Sequence, residues 1–177
     1  MADSSWEDTE EEALNRECHG AALAETGFWG RQGAGCLFLA RSTGRLLVAH
    51  RSWGVLEPDT WGTWGGAIDG TETPSAAAQR EATQECGYEG QVELVPLVVF
   101  SHPTGFRYHN FLAIVDEEFE PTLNWESQGY AWAELQGIES QIGQMHPGLV
   151  YLLEHSGAEI ASLAAECRRQ HSPQLRG

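Results

Sequence analysis

Residues 66–88 read GAIDGTETPSAAAQREATQECGY, and this is the stretch that determines the predicted fold. Its first part contains glycines and a turn signal, so it predicts a loop. Pro74 occupies a favourable first helical position, and Thr73 before it is a candidate N-cap. Gly87 is a preferred residue directly after a helix. The pattern therefore predicts a glycine-containing loop followed by a helix over residues 75–86.

One face of this helix carries acidic and amide side chains. Glu81, Gln84 and Glu85 stand at i, i+3 and i+4, so they point to the same side. Two carboxylates on one face repel each other unless a positive charge lies between them, and their hard oxygen ligands suit Mg²⁺ or Mn²⁺. An isolated acidic pair is more often a solvated helix face, so spacing alone leaves both interpretations open.

The wider context of the pair resembles the Nudix box, G-x5-E-x7-R-E-U-x-E-E-x-G-U, in which U is an apolar residue. The matching residues are Gly66, Glu72, Arg80, Glu81, Ala82, Glu85, Gly87 and Tyr88, of which Ala82 and Tyr88 are permissive matches. The likeness runs from about Gly33 to Leu153. It implies an α/β fold, the Nudix-type α/β/α sandwich around a mixed β-sheet.

The resemblance also implies the chemistry of the helix. Nudix carboxylates bind divalent cations, Mg²⁺ or Mn²⁺, that bridge the diphosphate of a nucleotide substrate. By position, Glu81 and Glu85 become metal ligands, and Glu81 also orients or deprotonates the attacking water. The backbone carbonyl of Gly65 matches a further ligand position. Glu126 matches a later ligand or base in some members, and an ordinary solvated loop carboxylate is an equal alternative.

Four residues of the box are expected to support the site rather than react. In the family, the pair matched by Glu72 and Arg80 forms a salt bridge that holds the loop against the helix. Gly66 and Gly87 mark the end of the preceding strand and the end of the helix. Catalytic geometry depends on such supporting groups even when they do not touch the substrate.

Gln84 is the clear departure from the box, because the family has the first Glu of its Glu-Glu pair there. An amide keeps the shape and the carbonyl oxygen but lacks the negative charge that attracts a metal. The substitution predicts a weaker metal site and slower turnover. Three interpretations stay open: a deliberately disabled variant, a slower natural enzyme, and a Nudix-like protein that binds without cleaving.

Candidate substrate-binding residues are less well defined by the sequence. Arg51 ends a predicted core strand, and Arg107 and His109 fall in a predicted turn over residues 105–110. Arginine suits bidentate contacts with phosphate. Five aromatic residues are candidates for stacking on a base, although core packing is the more frequent role of such side chains. They are Trp53, Trp61, Trp64, Phe106 and Tyr108.

The remaining elements predict one Nudix domain over residues 31–177, with C-terminal helices, after an acidic and partly flexible extension over residues 1–30. The apolar runs 36–40, 46–49, 92–100, 110–115 and 130–132 predict strands, and residues 13–25, 147–155 and 158–169 predict helices. The first two strands flank Ser42-Thr43-Gly44, which is typical of a hairpin.

The net negative charge of the chain limits the kinds of molecule that it can bind. The chain of 177 residues has 26 acidic residues and 10 basic ones, all arginine, for a net charge of −16. Such a charge repels a phosphate backbone and excludes sequence-independent binding to DNA or RNA. A phosphate-bearing small molecule is still compatible, provided that a metal ion supplies local positive charge.

The four cysteines are scattered without zinc-like spacing, and the sequence shows no signal peptide. We therefore expect free, mostly buried thiols in a cytoplasmic protein. No apolar run approaches the roughly 20 residues that span a bilayer, so membrane insertion is not expected. Nudix domains often form dimers, so a homodimer is one expectation, and the sequence leaves the oligomeric state open.

The leading hypothesis is a divalent-metal-dependent pyrophosphohydrolase that acts on a nucleoside diphosphate linked to another group, impaired by Gln84. The alternative of a different class is a non-catalytic Nudix-like nucleotide-binding module. An acidic interaction protein is a third hypothesis, and the intact Glu81 and Glu85 count against it. The sequence does not single out one substrate of the Nudix range.

Overall fold

A computed structural model describes residues 9–171. Its helices are α1 (Glu10–Thr26), α2 (Pro74–Cys86), α3 (Ile138–Gln141) and α4 (Pro147–His171). Its strands are β1 (Gln32–Ala40), β2 (Leu46–Arg51), β3 (Trp61–Gly62), β4 (Trp64–Ala67), β5 (Glu93–Ser101), β6 (Arg107–Val115) and β7 (Ser127–Ala133).

The strands form one mixed sheet with β1 at its centre. The order is β3-β2-β1-β6-β5, while β4 pairs with β1 and β7 pairs with β2. β1 runs antiparallel to β2 and β4 but parallel to β6. All predicted strands are present, and the hairpin between the first two is confirmed.

Alternation along β1 divides the interior into two layers. Phe38 packs in a cluster with the alanines of α2, whereas Leu37 and Leu39 pack in a second cluster with Leu152 and Ile160 of α4. Successive strand residues point to opposite faces, so one strand serves both layers. The predicted α/β/α sandwich is thereby confirmed.

The predicted boundaries of α2 are confirmed by its caps. The Thr73 hydroxyl accepts a hydrogen bond of 3.2 Å from the Ala76 N–H, and Pro74 is the first helical residue. At the other end, Gly87 adopts the left-handed conformation with φ of 69°, and its N–H donates to Thr83 O. Both signals act within one helical turn, which is why local sequence specifies them.

The C-terminal part of the chain differs from the prediction. Instead of two helices over 147–155 and 158–169, one helix of 25 residues runs from Pro147 to His171. Gly157 weakens the helical pattern, but the cluster residues on both sides of it pack against the same face of the sheet. Tertiary packing overrides the low helix propensity of glycine.

Residues 9–30 dock on the domain. α1 begins three residues before the predicted helix, at a capping box formed by Thr9 and Glu12. After the helix, the Phe28 ring stacks on Phe106 with centroids 4.2 Å apart. Residues 1–8 of the predicted extension lie outside the described residues. α1 and the segment after it therefore pack against the sheet domain.

A tyrosine side chain crosses the centre of the sheet over positions that lack side chains. A Cβ on Gly33 would lie 2.6 Å from Tyr108 Cδ2, and a Cβ on Gly35 or Gly65 would overlap the Tyr108 hydroxyl oxygen. At Gly35 the added atom would also lie 2.5 Å from the Trp64 carbonyl oxygen. These glycines are thus required for the close approach of β1, β4 and the tyrosine.

The four cysteines lie in the described residues and all have free thiols, as expected; Cys18 is exposed and the other three are buried. Among residues 9–171, no helix has the length and apolar character needed to cross a membrane.

We predict that Gly35→Ala lowers the free energy of unfolding by at least about 2 kcal/mol, because backbone and tyrosine atoms occupy the added volume. Gly157→Ala is the matched control, since its added Cβ meets nothing within 4 Å. This control should stabilise α4 by about 0.5–1 kcal/mol. Urea unfolding measures both variants, and equal stability of the two would contradict the crowding described for β1.

Candidate active site

Two glutamates of α2 are buried against β4. Glu81 and Glu85 are 9% and 5% exposed, respectively. The Gly65 N–H donates a hydrogen bond of 2.9 Å to Glu85 Oε2. Gly66 has no side chain to displace Glu81, whose Oε1 would lie 2.6 Å from an added Cβ. Gly66 therefore lets the strand approach the acidic face of the helix closely, and Gly65 contributes its backbone N–H.

Arg80 joins the loop, the strand and the helix. Its Nη2 lies 2.6 Å from Glu72 Oε1 and 2.9 Å from Ala67 O, and its Nη1 lies 2.8 Å from Glu81 Oε1. Burial opposes the charged guanidinium, but Glu72, Glu81 and Asp69 together raise the Arg80 pKa above its usual value. The Glu72 carboxylate also accepts from the Asp69 N–H at 2.9 Å, which closes the loop.

The buried carboxylates carry an unfavourable concentration of negative charge. Burial raises the pKa of Glu81 to about 7 even though Arg80 opposes the shift, and Glu126 adds to it. Burial raises the pKa of Glu85 well above its ordinary value, and Glu126 and Glu81 raise it further. A cation bound here would relieve this repulsion.

The loop between β6 and β7 brings Glu126 to the same place. The Asn124 N–H donates to the Glu85 carbonyl at 3.2 Å, and the Glu126 N–H donates to Asn124 Oδ1 at 2.9 Å. The Ser52 N–H in turn donates to Glu126 O at 2.8 Å. The structure thus brings Glu126 into the neighbourhood of Glu81 and Glu85.

Arg51 and His146 lie on another side of this neighbourhood. Burial raises the pKa of Glu85, and the Arg51 guanidinium offsets only a small part of this effect. Both Arg51 and His146 flank the side-chain position that is absent at Gly62. Burial and then Arg51 lower the His146 pKa to about 4, so the ring is neutral at pH 7. Its Nδ1 accepts from the Gly148 N–H at 2.9 Å, which leaves the Nε2 N–H as a donor.

Arg107 and His109 are placed differently from the prediction, because they lie in β6 rather than in a turn. Ala34 of β1 pairs with His109 on one side and with Gly66 on the other. His109 is therefore two strand spacings, about 10 Å, from Gly66. Its Nε2 lies 3.1 Å from Gln32 Oε1, and within residues 9–171 no contact links Arg107 or His109 to the buried glutamates.

The donor set fits a cation that is shared with a substrate. Among the described residues, no group of three or more His, Cys, Asp or Glu side chains is arranged as a ready-made metal site. One oxygen of Glu81 binds Arg80 and one oxygen of Glu85 binds Gly65. The other oxygens suit a hard cation such as Mg²⁺, which is commonly held by one or two carboxylates together with substrate phosphates.

Comparison with known proteins identifies the architecture. The model of the NUDIX domain family matches residues 29–155. This chain belongs to the Nudix family. It is accordingly a hydrolase of phosphoric anhydride bonds. Residues 66–88, which include the end of β4, the following loop and α2, are the Nudix box that the sequence predicted.

Similar proteins share most of the chain. A protein of Mycobacterium tuberculosis with the provisional name 8-oxo-dGTP diphosphatase 3 is 28% identical over 92% of this chain and 81% of its own length. The crystal structure of the Nudix hydrolase RenU of M. smegmatis is 27% identical, with a TM-score of 0.63, over 85% of this chain and 92% of its own. An Ap4A hydrolase of C. elegans shares the fold at 20% identity, with a TM-score of 0.52 over 76% and 93% of the two chains.

Gln84, the departure from the Nudix box, is exposed, although the neighbouring Glu81 and Glu85 of α2 are buried. Its Oε1 accepts a hydrogen bond of 3.1 Å from Arg80 Nη1. The same guanidinium nitrogen donates to Glu81. The amide oxygen that would replace a carboxylate ligand is thus already hydrogen-bonded to the supporting arginine.

α1 contacts the loop between β4 and α2 through a pair of residues that the sequence did not predict. His19 Nε2 lies 2.7 Å from Asp69 Oδ1, and Asp69 Oδ2 lies 3.4 Å from Arg80 Nη2. Fifty residues separate His19 from Asp69, so no local pattern announces the pair. His146 directly precedes α4, and the pairing of residues 144–146 with Trp61 places it beside Arg51.

The aromatic candidates have different environments. Trp64 and Phe106 are buried in the domain, and Trp61 stacks on His50 at 4.4 Å. Tyr108 lies on the glycines of β1. Trp53 is 71% exposed. Core packing therefore accounts for several of these residues but not for Trp53.

We predict that the metal-free chain loses stability as pH rises from about 4.5 to above 7. Glu81 is protonated in both states below its ordinary pKa of 4.5, but the folded state resists its ionisation up to a pKa of about 7. The loss due to Glu81 amounts to about 2–3 kcal/mol. Glu81→Gln should remove it, so with EDTA at pH 8 this variant should be more stable than the unaltered chain.

Urea unfolding at pH 4.5 and pH 8 tests this expectation, with exposed Glu89→Gln as the control. Mn²⁺ should restore stability to the unaltered chain at pH 8 and have a much smaller effect on Glu81→Gln. A Glu81→Gln variant that is less stable than the unaltered chain at pH 8 would contradict the electrostatic account.

Proposed function

We propose that the protein is a divalent-metal-dependent pyrophosphohydrolase that cleaves a nucleoside diphosphate linked to another group. The observation that supports this most directly is the pair of buried glutamates, Glu81 and Glu85, beside Glu126, with their raised pKa values. Burying carboxylates so close together is unfavourable without a compensating cation. The Nudix reaction supplies a reason for keeping them.

The residues have distinct roles in this proposal. Glu81, Glu85 and the Gly65 carbonyl hold the cation, Mg²⁺ or Mn²⁺, with Glu126 as a further ligand or base. A divalent cation, when bound, neutralises the diphosphate and acidifies the attacking water. By its position in the Nudix box, Glu81 also orients that water or accepts its proton.

Arg51 and His146 are suited to the substrate's phosphate oxygens. Both lie beside Gly62, which has no side chain, and Arg51 is close enough to Glu85 to oppose part of the rise that burial causes in its pKa. A guanidinium and a neutral imidazole N–H are both donors that bind phosphate without competing for the cation. Arg107 and His109, across Ala34 from Gly66, are proposed as outer contacts of a longer substrate.

Nucleoside triphosphates with an altered purine are the first substrates to test. The support is the 28% identity to the M. tuberculosis protein named for 8-oxo-dGTP, which covers 92% of this chain. A panel of 8-oxo-dGTP, dGTP, a dinucleoside polyphosphate, ADP-ribose and a nucleotide sugar, each with Mg²⁺ or Mn²⁺, separates the substrate classes. Without a divalent metal, we expect none of these compounds to be hydrolysed.

The second candidate, nucleotide binding without efficient cleavage, is favoured by Gln84 alone. Its amide lacks the charge of the family's glutamate, and its oxygen is already bound to Arg80. Under this hypothesis the chain binds a nucleotide in the presence of metal, yet neither it nor its Gln84→Glu variant releases product. The first candidate instead requires turnover by the variant.

We predict that Gln84→Glu raises the turnover number at least about tenfold at limiting Mg²⁺, which corresponds to about 1.4 kcal/mol of barrier. The added carboxylate supplies the missing anionic ligand. Gln79→Glu, an exposed change on the same helix, is the matched control and should leave the rate unchanged. If neither the unaltered chain nor Gln84→Glu hydrolyses any compound of the panel while both still bind metal, the hydrolase proposal is rejected and the nucleotide-binding module is supported.

A further inference from the structure

Two exposed tryptophans lie on loops next to the site formed by Glu81, Glu85 and Glu126. Trp53 is 71% exposed and Trp125 is 69% exposed, and Leu56 nearby is 53% exposed. Most large aromatic side chains of soluble proteins are substantially buried, so a cluster of exposed ones indicates a binding surface. We name Trp53, Leu56 and Trp125 the aromatic rim.

Trp53 and Trp125 belong to one surface because their loops are joined. The Ser52 N–H donates to the Glu126 carbonyl at 2.8 Å, so the residues next to them, Trp53 and Trp125, are held together. The Trp125 ring lies against Gly54, with Cζ3 3.8 Å from the position of an added Cβ. One ring therefore rests on the backbone adjacent to the other tryptophan.

The loop that carries Trp53 is fixed by many hydrogen bonds. Arg51 donates from Nε and Nη2 to the Leu56 carbonyl at 3.1 and 2.5 Å. The Thr60 hydroxyl donates to Glu57 O at 2.7 Å, and the Asp59 N–H donates to Arg51 O at 3.2 Å. The exposed tryptophan thus stands on a preorganised loop.

The same loop contains two unfavourable backbone conformations. Glu57 and Asp59 have φ values of 50° and 57°, in the left-handed region that favours glycine. Each such residue costs free energy, so it persists only where surrounding contacts impose it, and such residues concentrate at ligand sites. The strain and the exposed rings occur in the same segment.

The position of the rim indicates its ligand. Trp125 directly precedes Glu126, and Arg51, two residues before Trp53, lies close to Glu85. A group bound on the rim is therefore next to a diphosphate that is held by the glutamates. The exposed side chains of the rim are aromatic and apolar, which suits a neutral nucleobase better than a further phosphate or an acidic partner.

We propose that the aromatic rim binds the purine base of the substrate by stacking on Trp53 and Trp125. This inference rests on the proposed function, because it places the base next to the diphosphate site. The affinity for the nucleobase then comes from side chains outside the Nudix box. Loss of either ring should weaken base binding without altering the chemistry at the carboxylates.

The test compares a ligand that has a base with one that lacks it. A non-hydrolysable GTP analogue and inorganic tripolyphosphate, each with Mg²⁺, are titrated by calorimetry into the full chain and into Trp53→Ala and Trp125→Ala. Base stacking predicts that each variant weakens binding of the GTP analogue by about tenfold or more. Tripolyphosphate binding should be unchanged.

Two kinds of control separate stacking from damage to the fold. Trp53→Phe and Trp125→Phe keep an aromatic ring and should recover most of the affinity for the GTP analogue. Leu14→Ala, which removes another exposed apolar side chain on α1, should have no effect. For a substrate that is turned over, the two alanine variants should raise KM and leave kcat nearly unchanged.

Other outcomes overturn the inference. Unchanged affinity of both alanine variants for the GTP analogue would reject stacking, and sedimentation that then shows loss of a dimer would reassign the rim to a subunit interface. An equal loss of tripolyphosphate and GTP-analogue binding would also reject it. If no compound is hydrolysed but the GTP analogue binds through the rim, the proposed function fails and the assignment of the rim as the base site stands. If neither the GTP analogue nor any other compound binds, both proposals fail.

Discussion

The Arg80 guanidinium connects three parts of the active-site scaffold, and their relative position depends on it. It contacts Glu72 at 2.6 Å in the loop, Ala67 at 2.9 Å in β4 and Glu81 at 2.8 Å on α2. A planar fork with five N–H donors can make these contacts in fixed directions, which a lysine cannot. Removing it would leave Glu72 and Glu81 without their common partner.

This scaffold holds charges that are unfavourable in the absence of a cation. Glu81 and Glu85 are buried within one helical turn, and Glu126 raises the pKa of both. One oxygen of each buried glutamate is committed to Arg80 or Gly65, and the other is left for a ligand. The electrostatic cost built into the fold and the proposed metal-assisted chemistry are thus two aspects of one arrangement.

The parts of the site that local sequence specifies were predictable, because Thr73, Gly87 and the helix spacing act over a few residues. The contact of His19 with Asp69 depends on tertiary docking and left no local signal. Helix α4 was predicted as two helices because Gly157 interrupts the pattern, whereas packing on the sheet continues across it. The turn predicted around Arg107 was wrong in position, since parallel pairing with β1 draws Arg107 into β6.

The role of the buried carboxylates is tested most directly by the position of Mn²⁺, located by anomalous diffraction from crystals grown with Mn²⁺ and a non-hydrolysable nucleoside diphosphate derivative. We predict an anomalous peak bound by Glu81 and Glu85, next to the Gly65 carbonyl and the diphosphate. The same crystals of Glu81→Gln should lose or weaken that peak. If no metal is bound at Glu81 and Glu85 at a saturating Mn²⁺ concentration, and the nucleotide is bound elsewhere, these carboxylates are not the metal site.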